Sequence, residues 1–413
     1  MMNEGLKDEL LSEEKFSKYG SSIFSEMGIL AAKHNAVNLA QGFPDYQLNL
    51  EILQDASKYI LEGQNQYAPM PGVQYLREQL SLYKYNATGH KYDPINEITV
   101  TTGALQALHC AIASIVSIGD EVIIFDPSFE SYRPIVELYG GIPVTITLEA
   151  PNFNIPWDEI KKRINKKTKA IIINSPNNPT GKLITLSDID ALQKLTQNTD
   201  IVIISDEVYE HAIFNKQKHI SISQFSDLVD RSFIISSLGK IFHVTGWRIG
   251  YCLAPEKLMK IFRKVHQFSV FSSSCAALQM SLANQVNNMD YYKDLTKTYD
   301  LQRSMFLNLI SETEFKPLPI DGSFFCLLDY SELSSIDDVE MAKKLVTEFG
   351  VALIPLSSNY NDKRDQKILR ACFVKKEETI KNAMLCLNNA SAYFLKGAKN
   401  LKQESKSLYS EAR

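Results

Sequence analysis

Between Glu97 and Pro255 the chain alternates short runs of β-branched residues with helical stretches, and this alternation restricts the fold more than any other feature. The runs are ITVTT, EVIIFDP, IPVTITL, TKAIIINSP, TDIVIISDE, SFIISSLGK and RIGYCLAP. Strands that are apolar along their whole length are buried on both faces, and intervening helices make parallel pairing possible. The pattern predicts an α/β fold built on a mainly parallel sheet flanked by helices. Such sheets take ligands beyond the carboxyl ends of their strands. That rule singles out Gly103 and Ala104, Phe129, Asn174 and Asn178, Asp206 and Tyr209, and Ser237 and Lys240.

The flanks read differently. Residues 20 to 40 carry helical spacing and end in the extended VNLA, followed by the tight QGFPDYQ loop, where Gly42 can bring its backbone close to a ligand. Residues 50 to 62 predict a helix, NQYAPMPG a loop holding Tyr67, and the next helix opens near Val73. After Pro255 the stretches Lys257 to Gln267, Ala276 to Val286 and Tyr291 to Ile310 are helical. GSFFCLLDY, GVALIPL and KILRACFV then read as strands, with a helix over Asp337 to Phe349 and a closing one from Glu377. This predicts an N-terminal segment (1–45) packing on a smaller α+β domain (291–395), a large domain (46–290), and a frayed polar tail (396–413).

A net charge of -4 supplies no field for a polyanion, so neither nucleic acid nor an anionic membrane is expected as a partner. The opening MMNEGLKDELLSEEKF has acids where a secretory leader needs a basic flank and an apolar run, so a cytoplasmic location is expected. The six cysteines are scattered without a C-x-x-C pair, against a disulfide frame or structural zinc, and no metal is expected.

The segment SLGKIFHVTGWRIGY supplies the chemistry. Lys240 stands among Leu238, Gly239, Ile241 and Phe242, and desolvation there would disfavour its ammonium and free a nucleophilic amine. The chain has no G-x-G-x-x-G after its first strand, no phosphate-loop signature and no H-E-x-x-H. A lysine forming a Schiff base with pyridoxal 5'-phosphate needs particular company. The phosphate wants a helix N-terminus, a hydroxyl and a cation, and Gly103, Ala104, Ser237 and Arg248 offer them. A carboxylate must keep the pyridine nitrogen protonated, which suits Asp206. Asn178 and Tyr209 can donate to the phenolate oxygen, and Phe129 can cover the ring. Singly, Asp206 is equally a helix cap, Asn178 a turn residue and Phe129 core. The order glycine turn, aromatic, asparagine, aspartate, lysine, arginine, each after a strand, joins them.

The stretches NSPNNPTG, SDEVYE, SLGKIFHVTGWRIGYC and ILRACF resemble the class I aminotransferases of the fold-type-I pyridoxal-phosphate enzymes. GFPDY, NQYAPMPG, SDEVYEH and KVHQF are similar to the branch holding kynurenine and bacterial methionine aminotransferases, over about residues 20 to 395. The resemblance implies a seven-stranded mainly parallel sheet with a smaller α+β domain. It implies Lys240 as the lysine bound to pyridoxal 5'-phosphate, Asp206 at its nitrogen, and Tyr209 and Asn178 at its phenolate oxygen. Phe129 would stack on the ring, with Gly103, Ala104, Leu105, Ser237 and Arg248 around the phosphate. Arg370 would clamp the substrate carboxylate, which a planar fork on an apolar strand also suggests. A homodimer is implied, with Tyr67 completing the partner's site.

Gly42, Asn178, Tyr19 and Phe271 are the further substrate-side candidates, Tyr19, Tyr67 and Phe271 forming an aromatic wall by the same resemblance. No arginine stands out for a distal carboxylate, and such a wall suits methionine, glutamine, aromatic amino acids or kynurenine as donors, with 2-oxo acids as acceptors; methionine comes first because the surrounding segments most resemble the bacterial methionine enzymes. A C–S β-lyase with the same cofactor and a non-catalytic cofactor-binding regulator are the alternatives.

Overall fold

A computed structural model describes residues 19–46 and 49–411, with side chains through residue 396. The opening stretch weighed above for a secretory leader, residues 1–16, therefore lies wholly outside the described residues. The first strand, β1 (Val37–Asn38), follows the Ile23–Lys33 helix. Seven more strands come from the alternating region. They are β2 (Ile98–Thr102), β3 (Glu121–Asp126), β4 (Ile142–Thr147), β5 (Thr168–Asn174), β6 (Val202–Asp206), β7 (Ser232–Ser237) and β8 (Ile249–Leu253). They form one sheet in the order β2-β8-β7-β6-β5-β3-β4, parallel except for β8, which runs against both neighbours.

The double-sided burial is visible residue by residue. Ile123, Ile171, Ile203 and Ile234 enter one apolar cluster, and Val122, Ile172, Ile204 and Phe233 enter the other, on the opposite face. Burying each such side chain contributes about 2 kcal/mol. The second cluster includes Ala107, Leu108 and Ala111 of the Gly103–Ile115 helix. The rows facing that helix continue by alternation from Ala170 and Ile172 to Asn174, from Val202 and Ile204 to Asp206, and from Phe233 and Ile235 to Ser237. Three polar residues thus reach the sheet's edge on the side where the helix begins.

A second sheet follows the Met289–Ile310 helix. Its strands are β9 (Lys316–Pro317), β10 (Phe325–Asp329), β12 (Ile354–Pro355) and β13 (Ile368–Cys372), in the antiparallel order β12-β13-β10-β9. The intervening β11 (Val351–Ala352) pairs in parallel with β1, which ties the N-terminal segment to this unit. Two expectations are corrected. GVALIPL is not one strand: after Leu353 the chain leaves β1 for the edge of β13, where Pro355 has no N–H to extend a ladder. The stretch expected to fray from residue 396 is backbone helix, Glu377–Glu411, in keeping with its leucine, lysine, glutamine and glutamate. Residues 412 and 413 lie outside the described residues.

Candidate active site

The site forms where the strand ends of the large sheet meet the N-terminal segment and β13. Lys240 sits in the one-turn Leu238–Ile241 helix that follows β7. Its Nζ donates to the Gly42 carbonyl and lies 5.5 Å from the centre of the Tyr209 ring and 5.7 Å from that of Phe324. Burial pushes its pKa down to about 8, so a sizeable neutral fraction exists near physiological pH. Gly42 is required at this approach, since a Cβ there would lie 2.6 Å from the Phe325 ring.

Asp206 ends β6 and is buried. Its carboxylate accepts from the Tyr132 hydroxyl at 2.6 Å and from the Val208 N–H at 3.2 Å. Even so, burial raises its pKa to about 6. A carboxyl in that state is stabilised as an anion by a cationic N–H brought against it, which is what a protonated pyridine offers. Tyr209 stays a phenol, its pKa pushed up by burial, and is a donor. The Asn178 amide oxygen accepts from Arg370 at 2.8 Å, which leaves its NH2 as the donor end. Asn174 sets this geometry, accepting the Asn178 N–H at 2.7 Å and donating to the Asp206 carbonyl at 2.9 Å.

The raised Asp206 pKa has a consequence for stability. Relative to an unfolded carboxyl at 3.8, a folded value near 6 disfavours the fold above about pH 6 and has no effect below 3.8. The full shift is worth about 3 kcal/mol. In the cofactor-free protein, Asp206→Asn is expected to unfold later than wild type at pH 8, with the advantage fading between pH 6 and 4. A constant or reversed difference in thermal unfolding across that range would contradict this.

The phosphate candidates also converge. Gly103 has φ +75°, and a Cβ there would lie 2.5 Å from the Arg248 guanidinium, so the arginine rests on the first residue of the helix. Gly250 packs as closely on Gly103 and the Ala104 N–H, and it pairs with Ser237 in β7. Among the described residues the Thr102 side chain does not cap that helix, which leaves its first N–H groups for an anion. Leu105 follows in the first turn, partly exposed. Phe129 stands edge to face on Tyr132, ring centres 5.6 Å apart. These residues fit pyridoxal 5'-phosphate.

Arg370, on β13, is 1% exposed. Its guanidinium is stacked between Phe325 (4.0 Å) and Phe24 (4.7 Å) and donates to Asn178 and to the Ala40 carbonyl at 2.7 Å. Burial lowers its pKa to about 10, which leaves it charged. Its Nε is buried without a hydrogen-bond partner among the described residues, a donor suited to a carboxylate. Tyr19 lies elsewhere on the N-terminal segment, its hydroxyl donating to Glu137 at 2.8 Å. Tyr67 and Phe271 meet each other edge to face, centres 5.5 Å apart, and are 82% and 61% exposed.

The opposite side of the Asp206–Glu210 turn holds a buried ion cluster. Lys84 Nζ lies 2.7 Å from Glu210 and 3.8 Å from Glu207, and Glu207 is 3.0 Å from His219. Burial opposes these charges, but the partners prevail: both glutamates are held below the ordinary carboxylate range and Lys84 above its usual value. The Lys84 ammonium supplies the positive charge that a metal would otherwise bring to this Glu207, Glu210 and His219 group. Glu210 also accepts from Ser236 and Tyr251, so the turn carrying Tyr209 is fastened to β7 and β8.

Sequence reasoning missed Phe24, Ala40, Tyr132, Phe324 and Phe325. Tyr132 had a weak signal as a second aromatic close to Phe129, although Phe129 precedes the helix that Tyr132 opens.

The family described as aminotransferase class I and II matches residues 34–385. The methionine aminotransferase of Escherichia coli (strain K12) is 40% identical over 372 residues, covering 90% of this chain and 96% of that one. Kynurenine–oxoglutarate transaminase 3 of Rattus norvegicus is 33% identical, covering 87% of this chain and 86% of its own length. The crystal structure of YbdL from Escherichia coli, for which a methionine aminotransferase function is identified, superposes with a TM-score of 0.86 at 40% identity, over 90% of this chain and 98% of that one. With the expected fold type and the converging strand ends, these likenesses have one meaning: the chain is a member of the class I and II aminotransferases, a fold-type-I enzyme that uses pyridoxal 5'-phosphate.

Proposed function

We propose that the enzyme takes the amino group of methionine, and more slowly that of glutamine, aromatic amino acids or kynurenine, and passes it to a 2-oxo acid. The observation carrying this reading is the buried Arg370 fork, with its free Nε, held between two phenylalanine faces. The fork suits the α-carboxylate, and the exposed Tyr67 and Phe271 rings, brought by a second copy, suit a thioether, which gains from sulfur–aromatic contact. The greater identity to the methionine enzyme than to the kynurenine one points the same way.

The cofactor, when bound, supplies a carbonyl carbon for the substrate amine and a ring that delocalises the electrons left on Cα. The chain's residues do the rest. Lys240 Nζ, neutral in part through burial, would take the proton from substrate Cα as a base and then, as an acid, give it up to the carbon that bore the cofactor's carbonyl. Asp206 holds the proton at the ring nitrogen, while Tyr209 and Asn178 donate to the phenolate oxygen. Gly103, Ala104, Leu105, Ser237 and Arg248 hold the phosphate, and Phe129 covers the ring. Arg370 fixes the carboxylate and so the direction of the Cα–H bond, with Gly42 closing over the amine.

The molecule acts as a homodimer in this reading, the partner's site taking Tyr67 and Phe271. Their exposure, with Phe268 beside them in sequence at 87%, supports a surface that a second copy covers. Among the described residues no helix is long and apolar enough to cross a membrane, and we place the enzyme in the cytoplasm.

A donor panel tests the preference. Methionine is expected to exceed aspartate by at least about 100-fold in kcat/KM, because a second carboxylate among aromatic faces has no partner. Equal turnover of aspartate would overturn the reading.

A further inference from the structure

The loop bearing Tyr67 is wired to the phosphate end of its own chain by side chains that play no part in the reaction. His266, in the Glu256–Val270 helix, is fully buried. Its Nε2 meets the Met70 carbonyl at 2.9 Å and its Nδ1 meets Gln106 Nε2 at 3.0 Å. Burial lowers its pKa, so the ring is neutral, with one donor and one acceptor nitrogen. The carbonyl can only accept, so Nε2 carries the hydrogen and Nδ1 accepts from the amide of Gln106. The Gln106 oxygen in turn accepts from the Thr102 N–H at 3.2 Å, one residue before Gly103. A line of three hydrogen bonds thus runs from the Tyr67 loop to the start of the phosphate-facing helix.

Further ties make one body of the loop and the residues after the helix. The Ser272 hydroxyl donates to the Ala68 carbonyl at 2.8 Å, and the wholly buried Gln279 accepts the Val73 N–H at 2.8 Å. Ser274 donates to the Arg248 carbonyl at 2.5 Å. The exposed pair Tyr67 and Phe271 therefore rides on a block anchored at Gly103 and Arg248.

We propose that His266 and Gln106 are positioning residues acting in trans: they set the Tyr67 loop of one subunit so that it holds the cofactor phosphate of the other. The proposal rests on the homodimer reading above. Gln106 faces no substrate and His266 is sealed from solvent, so their effect passes through backbone position. Freed of the His266 bond, the Met70 carbonyl of one chain is unanchored, and the neighbouring Tyr67 hydroxyl samples more positions than the partner's phosphate can use.

Mixed dimers separate this from a local structural role. One subunit carries Lys240→Ala, so that only its wild-type partner forms the lysine-linked absorption band. Release of cofactor from that partner is followed by decay of the band into a scavenger. Adding His266→Phe to the Lys240→Ala subunit is expected to accelerate release from the unaltered partner about 3- to 10-fold, the scale of one buried hydrogen bond. Gln106→Met in the same subunit, which severs the same line without a change of bulk at the histidine, is expected to do likewise. Tyr67→Phe there should match or exceed both. Unchanged release with both His266→Phe and Gln106→Met, while Tyr67→Phe accelerates it, overturns the relay alone. Unchanged release with Tyr67→Phe as well, or a chain that sediments as a monomer, overturns the shared-site reading and the relay with it.

Discussion

Lys240→Ala is expected to lower turnover about 10⁴-fold or more, the scale of removing a positioned acid–base group that also bonds the cofactor. The fold should persist. Lys240 occupies a one-turn helix and, among the described residues, its side chain bonds only a loop carbonyl, so no strand register depends on it. Circular dichroism and thermal unfolding should match the wild-type protein without cofactor, while the lysine-linked absorption band is lost. Lys240→Arg is the informative companion. It restores the charge facing Tyr209 and Phe324 but cannot give up a proton near neutral pH, so it should be as inactive as alanine. Near wild-type transamination by either variant would remove Lys240 from the reaction.

The second large effect concerns Arg370. Arg370→Leu is expected to reduce kcat/KM about 10³-fold, mainly through KM, since it removes a charged, bidentate partner from a desolvated place. Arg370→Lys should recover little, because a point charge replaces a planar fork stacked between Phe24 and Phe325. Either change also strips Asn178 and the Ala40 carbonyl of a donor, so some loss of stability is expected alongside. Cofactor absorbance should survive in both variants. An unchanged KM for methionine would place the carboxylate clamp elsewhere.

The parallel sheet was legible because its strands are apolar on both faces, so the pattern in Ile123, Ile171, Ile203 and Ile234 speaks directly of burial. The residues at its edge were legible for a related reason: Asn174, Asp206 and Ser237 interrupt apolar rows, and a polar residue ending such a row needs a purpose. Phe24, Phe324 and Phe325 gave no comparable signal. An aromatic facing a cation and one in the core look alike in sequence; only the packing of the N-terminal segment and β10 beside Arg370, and of Phe324 beside Lys240, distinguishes them. The relay of Gln106 and His266 was hidden likewise, since two residues 160 apart declare no contact until helices pack. The split of GVALIPL into β11 and β12 depends on partners supplied from opposite ends of the chain.

The bond from Arg370 to the Ala40 carbonyl joins residues 330 positions apart, and β1 pairs with β11 over nearly the same span. A growing chain makes Phe24, Ala40 and Gly42 long before the strand they must meet. At about 5–20 residues per second, the wait is roughly 15 to 65 s. In the last part of that interval, once residue 240 has been made, the nascent chain holds the lysine, the aspartate and the phosphate-facing helix, yet cannot grip an amino acid by its carboxylate. Completion of the substrate pocket therefore waits for β13, and fragments cut short before residue 370 could hold cofactor without turning over substrate.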